Sequence, residues 1–472
     1  MTNPLHIIIL AAGKGVRMHS TLPKVLHKIG DKTLLAHVIE ISATLQPECI
    51  HVVYGEDGEL VKDSHRHLLV NTSINWIEQK ERLGTGHAVQ QALPYLPDEA
   101  EVLVLYGDVP LITSALLQNL LATSNTENTA VTLITTILEN AAGYGRIIRN
   151  KNKDKNISAI IEDKDATPKQ LKITEINSGI LCTTAKLLQQ YLPQLQSKNK
   201  QGEYYLTDVI AFSIADGLKV QSCVATDCID VLGVNNKEQL AQLERHYQKR
   251  MVTQLMQQGA TVLDPARLDV RGNVTVEQDV TFDVNVILAG EIIIGSNTTV
   301  GANCYLKNVV VGNNVDIRPY CVLEGVVIEN NCVVGPFTRI RPQSHIASGA
   351  HVGNFVEIKN TYLGKDSKAN HLSYLGDSSI GEKVNIGAGT ITCNYDGANK
   401  YHTTIEDGAF IGSGCELIAP IKIGKNATIG AGSTLNHDAP AEKLTVARTP
   451  QVTIDNWQRP IKGQLKENTD AK

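Results

Sequence analysis

The chain has 472 residues and a formal net charge of −5, with 42% hydrophobic, 20% charged and 4% aromatic residues. This balance excludes disorder over most of the length, a polycationic surface for nucleic acid and a base-stacking platform. The longest apolar runs, such as Ile7–Ala12, are far shorter than the roughly 20 residues of a membrane span, and no basic-then-apolar signal opens the chain. We therefore expect a globular cytoplasmic protein with two or three structural units, whose nine cysteines are reduced and which has no nucleic-acid or membrane partner.

The first half of the sequence alternates short apolar runs with longer segments that could form crossover helices. Runs at His6–Ala11, Ile50–Tyr54, Val102–Tyr106 and Val131–Ile134 are almost continuously apolar. Such runs are typical of a parallel sheet covered on both faces. Residues 1–235 are therefore predicted to form an α/β, Rossmann-like domain.

A helical segment and a change of period follow. Over residues 236–261 apolar residues recur in steps of three and four, which predicts an amphipathic helical linker. Over residues 262–460 aliphatic residues recur every six positions, and residues 461–472 form a polar tail. The aliphatic series includes Ile328, Val334, Ile340, Ile346, Val352 and Ile358. A hexapeptide repeat of this kind predicts a parallel β-helix whose aliphatic residues stack into one core.

The six-residue spacing is disturbed between about residues 359 and 404. The step from Ile358 to Leu363 is five residues, and so is the step from Leu375 to Ile380. A repeat that served stability alone would not need these breaks, and insertions in solenoids often form a binding edge. The disturbed region is therefore predicted to carry a site.

A glycine-rich segment directly after the first predicted strand indicates phosphate binding. It reads Leu10-Ala11-Ala12-Gly13-Lys14-Gly15-Val16-Arg17-Met18, and Leu22-Pro23-Lys24 follows. Backbone N–H groups in such a turn can approach phosphate closely, and Arg17 and Lys24 are suited to pair with it. A generic dinucleotide loop is the alternative, but Met18 stands where that loop needs its third glycine.

The loop resembles the signature of the sugar-nucleotidylyltransferase superfamily. The resemblance implies that Arg17 contacts the β- and γ-phosphates of a triphosphate, and that Lys24 contacts the α-phosphate and the sugar phosphate. Val16 stands where the family usually has Thr, so one hydroxyl is lost. Further implied contacts with the nucleotide and the sugar are Leu10, Ala11, Ala12, Gly13, Gln79, Gly84, Thr85, Tyr106, Gly107, Asp108, Gly145, Glu162, Asn177 and Asn235.

One acidic residue suggests a metal. Asp108 follows the predicted strand Val102–Tyr106, at the carboxyl end where ligands bind in open α/β sheets. Taken alone, Asp108 could equally cap the next helix. The resemblance implies that Asp108 and Asn235 together hold Mg²⁺, which prefers carboxylate and amide oxygens.

The disturbed region of the repeat contains groups suited to acyl transfer. A lone histidine is usually only solvated, but His371 occurs among Arg341, Lys359 and Tyr374. Acetylation of an amine needs the neutral amine, and a histidine can take its proton. Arg341 and Lys359 could hold a phosphate on the acceptor. A nucleophilic Cys393 is the competing mechanism, although the sequence identifies no base paired with it.

The two halves in this order resemble the bifunctional bacterial N-acetylglucosamine-1-phosphate uridylyltransferase/glucosamine-1-phosphate acetyltransferase family over nearly the whole chain. The resemblance implies a left-handed β-helix, a homotrimer with each acetyl site at a subunit interface, and His371 as proton acceptor. It implies that Arg341, Lys359, Tyr374 and Asn385 bind glucosamine-1-phosphate. The implied acetyl-CoA contacts are Ala388, Asn394, Tyr395, Ser413, Ala431 and Arg448, while Asn370 departs from the glycine usual beside the histidine.

The expected reactions are acetyl transfer from acetyl-CoA to glucosamine-1-phosphate, then uridylyl transfer from UTP to the product with release of pyrophosphate. By resemblance, the UDP-N-acetylglucosamine formed supplies peptidoglycan, lipopolysaccharide and lipid A. A single-activity nucleotidylyltransferase with a structural or regulatory β-helix is the main alternative. A non-catalytic scaffold is a third, and the presence of Arg17, Lys24, Asp108 and Asn235 speaks against it.

Overall fold

In a computed structural model of the chain, the described residues are 3–56, 58–66, 68, 71–126, 129–150, 156–459 and 462. Contacts divide the chain into two compact units, Met1–Gln257 with Asp264–Asn273 and Gln258–Leu263 with Val274–Lys472. The domain boundaries drawn from the sequence remain a prediction. The predicted polar tail lies, apart from Lys462, outside the described residues.

The N-terminal unit is built on a twisted sheet flanked by helices. Its strands are β1 Leu5–Ala11, β2 Lys28–Ile29, β3 Lys32–Thr33, β4 Cys49–Tyr54, β5 Ser73–Glu78, β6 Glu101–Tyr106, β7 Thr129–Ile137, β8 Arg146–Arg149, β9 Ile157–Ile161, β10 Glu175–Thr184 and β11 Lys219–Val224. Its helices are α1 Leu34–Ala43, α2 Gly58–His65, α3 Thr85–Ala92, α4 Ser114–Ser124, α5 Ala185–Tyr191, α6 Asp208–Ala215 and α7 Lys237–Gln257. All four apolar runs singled out in the sequence lie in strands, namely β1, β4, β6 and β7.

The main sheet has the strand order β11-β7-β10-β6-β1-β4-β5. Strand β1 is parallel to β4 and β6, whereas β10 is antiparallel to both β6 and β7. The fully parallel sheet suggested by the apolar runs is therefore wrong at β10. Alternation along β1 sends Ile7 and Ile9 into one buried cluster and Ile8 and Leu10 into another, so both faces are covered.

Helix α7 belongs by its contacts to the N-terminal unit. Leu243 is buried with Met18, Ile29 and Leu34, and Tyr247 packs against the same cluster. The amphipathic pattern thus correctly predicted a helix. Among the described residues, no helix is both long and apolar enough to cross a bilayer.

The C-terminal unit is a parallel β-helix with three faces. Strands of the first face are Thr261–Val262, Thr281–Phe282, Thr299–Val300, Asp316–Ile317, Val333–Val334, His351–Asn354, Lys368–His371, Asn385–Ile386, Phe410–Ile411, Thr428–Ile429 and Leu444–Thr445. The other two faces contain Val286–Ile294, Tyr305–Val311, Val322–Glu324, Val326–Ile328, Arg339–Ile340, Ser344–Ile346, Glu357–Leu363, Tyr374–Ile380, Ile391–Cys393, Thr403–Ile405, Glu416–Ile418, Ile421–Ile423 and Thr434–Leu435. A further strand, Leu268–Val276, includes the residues at which one unit ends and the other begins. The fold class is an α/β, Rossmann-like domain followed by a left-handed parallel β-helix.

The hexad positions form the core of this β-helix, as predicted. Ile328, Val334, Ile340, Val352 and Ile358 are at most 1% exposed. The five-residue steps fall on corners where a polar residue takes the left-handed conformation, with a φ of 45° at Asn360 and 50° at Asp377. Each break in the repeat is therefore a bend within a continuous strand, not a missing coil.

Candidate active sites

The glycine loop after β1 is fixed by a close approach to Lys24. Gly15 has a φ of 61°, and a Cβ atom added there would lie 2.7 Å from the Cβ of Lys24. Only glycine adopts this conformation without strain and leaves room for the lysine. The loop and Lys24 are thus positioned together at the carboxyl end of β1.

Most of the predicted nucleotide contacts line a cavity of about 650 Å³ beside this loop. The predicted residues that line it are Leu10, Ala11, Ala12, Gly13, Lys24, Gln79, Gly84, Thr85, Tyr106 and Asp108. Lys14, Arg82 and Glu203 line the same cavity, and sequence reasoning missed them as candidates. Gly107 lies behind the cavity, where its N–H donates to the carbonyl oxygen of Leu10 at 2.9 Å.

Gln79 lines this cavity and is buried. Its side chain is only 3% exposed, and its amide nitrogen lies 3.0 Å from the Nδ1 of His87 and 3.3 Å from the Gly84 carbonyl oxygen. Both partners are on the segment that starts α3, so they fix the carboxamide plane. A fixed, buried carboxamide is suited to read the edge of a base.

Four polar side chains converge beside the glycine loop. The Lys24 ammonium contacts Oδ2 of Asp108 and lies 3.4 Å from Oδ1 of Asn235. Arg17 donates to the same Asn235 oxygen at 3.0 Å. Since one cationic nitrogen reaches both Asp108 and Asn235, these two oxygens can also reach a single metal ion.

The predicted sugar contacts line a second cavity of about 270 Å³ that shares Thr85, Tyr106, Asp108 and Glu203 with the first. It contains Gly145, Glu162, Asn177 and Asn235. Burial raises the pKa of Glu162, although the Thr207 hydroxyl, which donates to its Oε1 at 3.0 Å, acts in the opposite direction. The chain therefore places the glycine loop and the predicted sugar contacts around two cavities that share lining residues.

A buried arginine supports this second cavity. The guanidinium of Arg146 donates to the carbonyl oxygen of Tyr144 and lies 3.0 Å from Asp163. These partners flank Gly145 and Glu162 in the sequence, so Arg146 ties together the two loops that present them. Its position beside Gly145 in the sequence was the only signal that could have identified it.

In the C-terminal unit, His371 lies at the corner between the first face and the next. It stands beside Asn354 in the strand register and lines a cavity of about 280 Å³ with Arg318, His351 and Asn370. Arg341 and Lys359 do not line this cavity. Within one chain, the proposed base and the proposed phosphate ligands therefore border different spaces.

The proposed phosphate ligands Arg341 and Lys359 lie at the opposite corner, next to Asp377. Asn360 and Asn394 donate to its two oxygens at 2.7 and 2.5 Å. Burial opposes ionisation of Asp377, but these hydrogen bonds and the charges of Lys359 and Lys400 lower its pKa below the usual value. The five-residue step at Asp377 was a signal for this residue that sequence reasoning did not use.

Lys400 is a second residue that the sequence did not single out. It bridges to Tyr395 across a short hairpin, and contact with the Lys359 ammonium lowers the pKa of Lys400. Arg341 stacks above Lys359 and donates to Glu357 at 3.2 Å, and Tyr374 lies 3.5 Å from the Asn394 amide. The hairpin thus adds a cation to the corner that holds Lys359.

Most of the predicted acetyl-CoA contacts form a column on successive coils. Gly414 N–H donates to Ala388 oxygen at 2.7 Å, Gly432 N–H to Ser413 oxygen at 2.8 Å, and Arg448 to Ala431 oxygen at 2.5 Å. Asn385 begins the coil that leads into this column. An elongated ligand could follow such a column along the β-helix.

The two departures from the family pattern, Asn370 and Val16, lie at different kinds of position. Asn370 lies in the extended strand Lys368–His371, where glycine is not required for the backbone. Val16 is 73% exposed and lines neither N-terminal cavity.

Burial and the charge of Glu416 raise the pKa of the Cys393 thiol, which disfavours the thiolate that a nucleophilic mechanism needs.

Comparison with known families accounts for both halves of the chain. The MobA-like NTP transferase domain matches residues 7–146, the bacterial transferase hexapeptide (six repeats) matches residues 325–360 and 402–437, and the hexapeptide repeat of succinyl-transferase matches residues 291–318. The chain is thus a nucleotidyltransferase fused to a hexapeptide-repeat transferase.

Full-length relatives narrow this class to one family. The bifunctional protein GlmU of Xylella fastidiosa (strain M23) is 52% identical over 459 residues, covering 97% of this chain and 98% of the relative. The bifunctional protein GlmU of Stenotrophomonas maltophilia (strain K279a) is 51% identical, covering 98% of this chain and 100% of the relative. That of Ruthia magnifica is 50% identical, covering 97% of this chain and 99% of the relative. The chain belongs to the bifunctional GlmU family and is both a uridylyltransferase and an acetyltransferase, which disfavours the single-activity alternative.

Proposed function

We propose that the two joined N-terminal cavities are the uridylyltransferase site. UTP places its uracil against Gln79 and its phosphates on the glycine loop, while N-acetylglucosamine-1-phosphate lies against Gly145, Glu162 and Asn177. The sugar phosphate oxygen attacks the α-phosphorus, a new P–O bond forms, and the bond to the β-phosphate breaks as pyrophosphate leaves. The continuity of the two cavities through Thr85, Tyr106 and Asp108 is the observation that supports this arrangement.

Mg²⁺ fits the oxygens offered by Asp108 and Asn235, since both reach the same cationic nitrogen. When bound, the ion would neutralise phosphate charge and orient the triphosphate. Lys24 and Arg17 bind the phosphates by charge-assisted hydrogen bonds, which stabilise charge as it shifts to pyrophosphate. No covalent intermediate with the protein is needed.

The β-helix performs the acetyl transfer that precedes uridylylation. Arg341, Lys359 and Lys400 hold the phosphate of glucosamine-1-phosphate, and His371 takes a proton from its amine. The amine attacks the thioester carbonyl of acetyl-CoA, the C–S bond breaks, and free CoA leaves. The acetyl-CoA chain lies along the column Ala388, Ser413, Ala431 and Arg448, with Asn394 and Tyr395 beside it.

A homotrimer completes the acetyl site. An aromatic ridge, formed by Tyr320, Phe337, Phe355 and Leu372, runs along the corner that separates His371 from the phosphate ligands. Its residues are 46–63% exposed, and its rings stack at 4.9 and 5.1 Å. A second copy packed on this ridge would cover apolar surface and bring its own polar groups to His371.

The trimer is tested by sedimentation of Phe337→Asp beside the wild type. A charge on the ridge is expected to shift the protein from trimer to monomer and to abolish acetyl transfer while uridylyl transfer continues. A trimer that persists with full acetyl transfer would remove the ridge from the interface. Val327→Asp, which puts the same charge on an exposed apolar position of another face, is the matched control.

The reducing environment of the cytoplasm suits this chain, in which all nine cysteines are free thiols. UTP and acetyl-CoA are also small metabolites of that compartment. We place the enzyme there, and alkylation of its cysteines in intact cells is the measurement that tests the location.

The two activities are separated by single substitutions in the full-length chain. His371→Ala should lower acetyl transfer by roughly 10²- to 10⁴-fold and leave uridylyl transfer unchanged, because it removes a general base from one site. Asp108→Ala should do the reverse. His437→Ala, an exposed histidine of the same β-helix, is the control. Loss of both activities in either variant would contradict separate sites.

A further inference from the structure

The Lys24 ammonium occupies the space between the two proposed metal ligands. It contacts the Asp108 carboxylate and lies 3.4 Å from the amide oxygen of Asn235. Arg17 donates to the same Asn235 oxygen at 3.0 Å. Both oxygens that would coordinate a divalent cation are therefore already bonded to cationic side chains of the chain itself.

The Lys24–Asp108 contact is only weakly screened by solvent. The side chains of Lys24 and Asp108 are 12% and 16% exposed. Electrostatic interactions between such groups are stronger than those at an open surface. Two cations and one carboxylate meet at this point, so the local charge is already positive before a metal ion arrives.

A divalent ion on its own would face two costs at this place. It would have to break the Lys24–Asp108 contact, and it would then sit beside two displaced cations and only one carboxylate. A triphosphate changes both conditions, because its negative charge offers Lys24 and Arg17 new partners and supplies further oxygens to the ion.

We propose that Lys24 is a built-in place-holder that excludes free divalent metal from the uridylyltransferase site and yields to the metal only when a nucleoside triphosphate enters with it. Lys24 then moves from Asp108 to the phosphates. This inference rests on the proposed metal site at Asp108 and Asn235, and adds to it an order of binding.

The place-holder gives Lys24 two effects of opposite sign. It weakens the binding of metal alone, since it competes for the same oxygens. It strengthens the binding of the metal–triphosphate complex, since it pairs with the phosphates. A residue that served only as a phosphate ligand would leave metal binding without nucleotide unchanged.

The test measures the binding of Mn²⁺ alone to the full-length protein by electron paramagnetic resonance. Lys24→Met should bind Mn²⁺ about tenfold more tightly than the wild type, within the roughly 5- to 150-fold range of coupling between sites. Lys24→Arg, which keeps the charge, should bind as weakly as the wild type. Lys28→Met removes the same charge from an exposed position of β2 and should change nothing.

Two further variants keep the result interpretable. Arg17→Gln changes an exposed side chain and should tighten Mn²⁺ binding by a smaller factor, about threefold, even if Lys24→Met folds poorly. Asp108→Asn in the Lys24→Met background should abolish the gain, which places the bound ion at this site. Unchanged acetyl transfer in every variant reports an intact chain.

The outcomes distinguish this inference from the proposed function beneath it. The wild type and Lys24→Met could bind Mn²⁺ with equal affinity, and both could lose this binding when Asp108 is changed. That result would overturn the place-holder and leave the metal site standing. Failure of both proteins, Lys24→Met included, to bind Mn²⁺ through Asp108 would overturn the metal site and the place-holder together. Tighter binding in Lys24→Met that depends on Asp108 supports both.

Discussion

The two proposed active sites are built on different principles. In the N-terminal unit one chain supplies the glycine loop, Lys24, Asp108 and the proposed sugar contacts around adjoining, partly buried cavities. In the β-helix the proposed groups lie on exposed corners, with His371 and Lys359 on opposite sides of one face. An α/β sheet can enclose a substrate alone, whereas a solenoid of uniform cross-section offers only edges and grooves.

The difference in enclosure predicts a difference in tolerance to small changes. Gly15→Ala adds a Cβ atom 2.7 Å from that of Lys24 at a φ of 61°, so the loop or the lysine must move. A displacement of about 1 Å in an enclosed site can lower the rate by about 10²-fold. We expect uridylyl transfer to fall by at least about that factor.

Acetyl transfer by the same Gly15→Ala protein is the internal control and should remain at the wild-type rate. Near-normal uridylyl transfer would show that the N-terminal site is as adaptable as the corners of the β-helix. It would contradict the expected difference in tolerance between the two sites.

An edge site should lose activity more gradually, because each cation is one of several. Lys359→Ala leaves Arg341 and Lys400 to hold the phosphate, so the expected loss is one charge-assisted hydrogen bond. This corresponds to a decrease of roughly 10- to 100-fold in kcat/KM for glucosamine-1-phosphate, mostly through KM. Lys383→Ala, at another corner, should have no effect; a complete loss in Lys359→Ala would show that the corner acts as a single unit.

The enclosed site also depends on buried scaffolding. Arg146→Met removes a guanidinium that is 2% exposed and leaves Asp163 and the Tyr144 carbonyl without it. The free energy of unfolding of the N-terminal unit should drop by about 2 kcal/mol in denaturant titration. Arg66→Met breaks an exposed pair with Asp63 and should cost less than about 0.5 kcal/mol. Equal losses of unfolding free energy in the two variants would contradict a stabilising role for buried Arg146.

Acid should weaken the N-terminal sheet through a buried histidine pair. His6 and His51 lie 3.0 Å apart, and burial, with His6 adding to it, lowers the pKa of His51 to about 4. Since the ordinary pKa of histidine is 6.5, the unfolded chain takes up the proton first as pH falls below that value. Stability should therefore be unaffected above pH 6.5 and decline between about 6.5 and 4.

His51→Gln should flatten this decline, by about 1 kcal/mol at pH 5 once solvent screening is allowed for. Unfolding followed by circular dichroism at several pH values measures it. A profile identical to that of the wild type would assign the acid sensitivity to other groups, and His437→Gln controls for an exposed imidazole.

The sequence predicted features that recur or that carry a local motif. The six-residue spacing identified the core of the β-helix, and the glycine loop identified the place of Lys24. It did not predict that β10 runs antiparallel, because an apolar strand looks the same in either direction. Strand direction depends on the connections through β8 and β9, which pair with each other before the chain returns to the main sheet.

The sequence also did not predict which residues share a corner of the β-helix. His371 and Tyr374 are three residues apart, yet a corner lies between them, and only the backbone at Leu372, with a φ of 48°, decides this. Lys400 meets Lys359 because a hairpin returns the chain to that corner. Such proximity depends on where the chain bends, which neither composition nor period encodes.

The aromatic ridge has a consequence for the chain as a folding molecule. Tyr320, Phe337 and Phe355 have φ values of 55–64°, a backbone state that disfavours bulky residues by roughly 1–2 kcal/mol each, while Asn285 and Asn303 occupy the same bend on earlier coils at less strain. Replacing the three rings by asparagine should therefore yield a chain that resists heat better by itself yet assembles worse. At this one corner, the residues that favour assembly with other copies would then lower the thermal stability of the single chain.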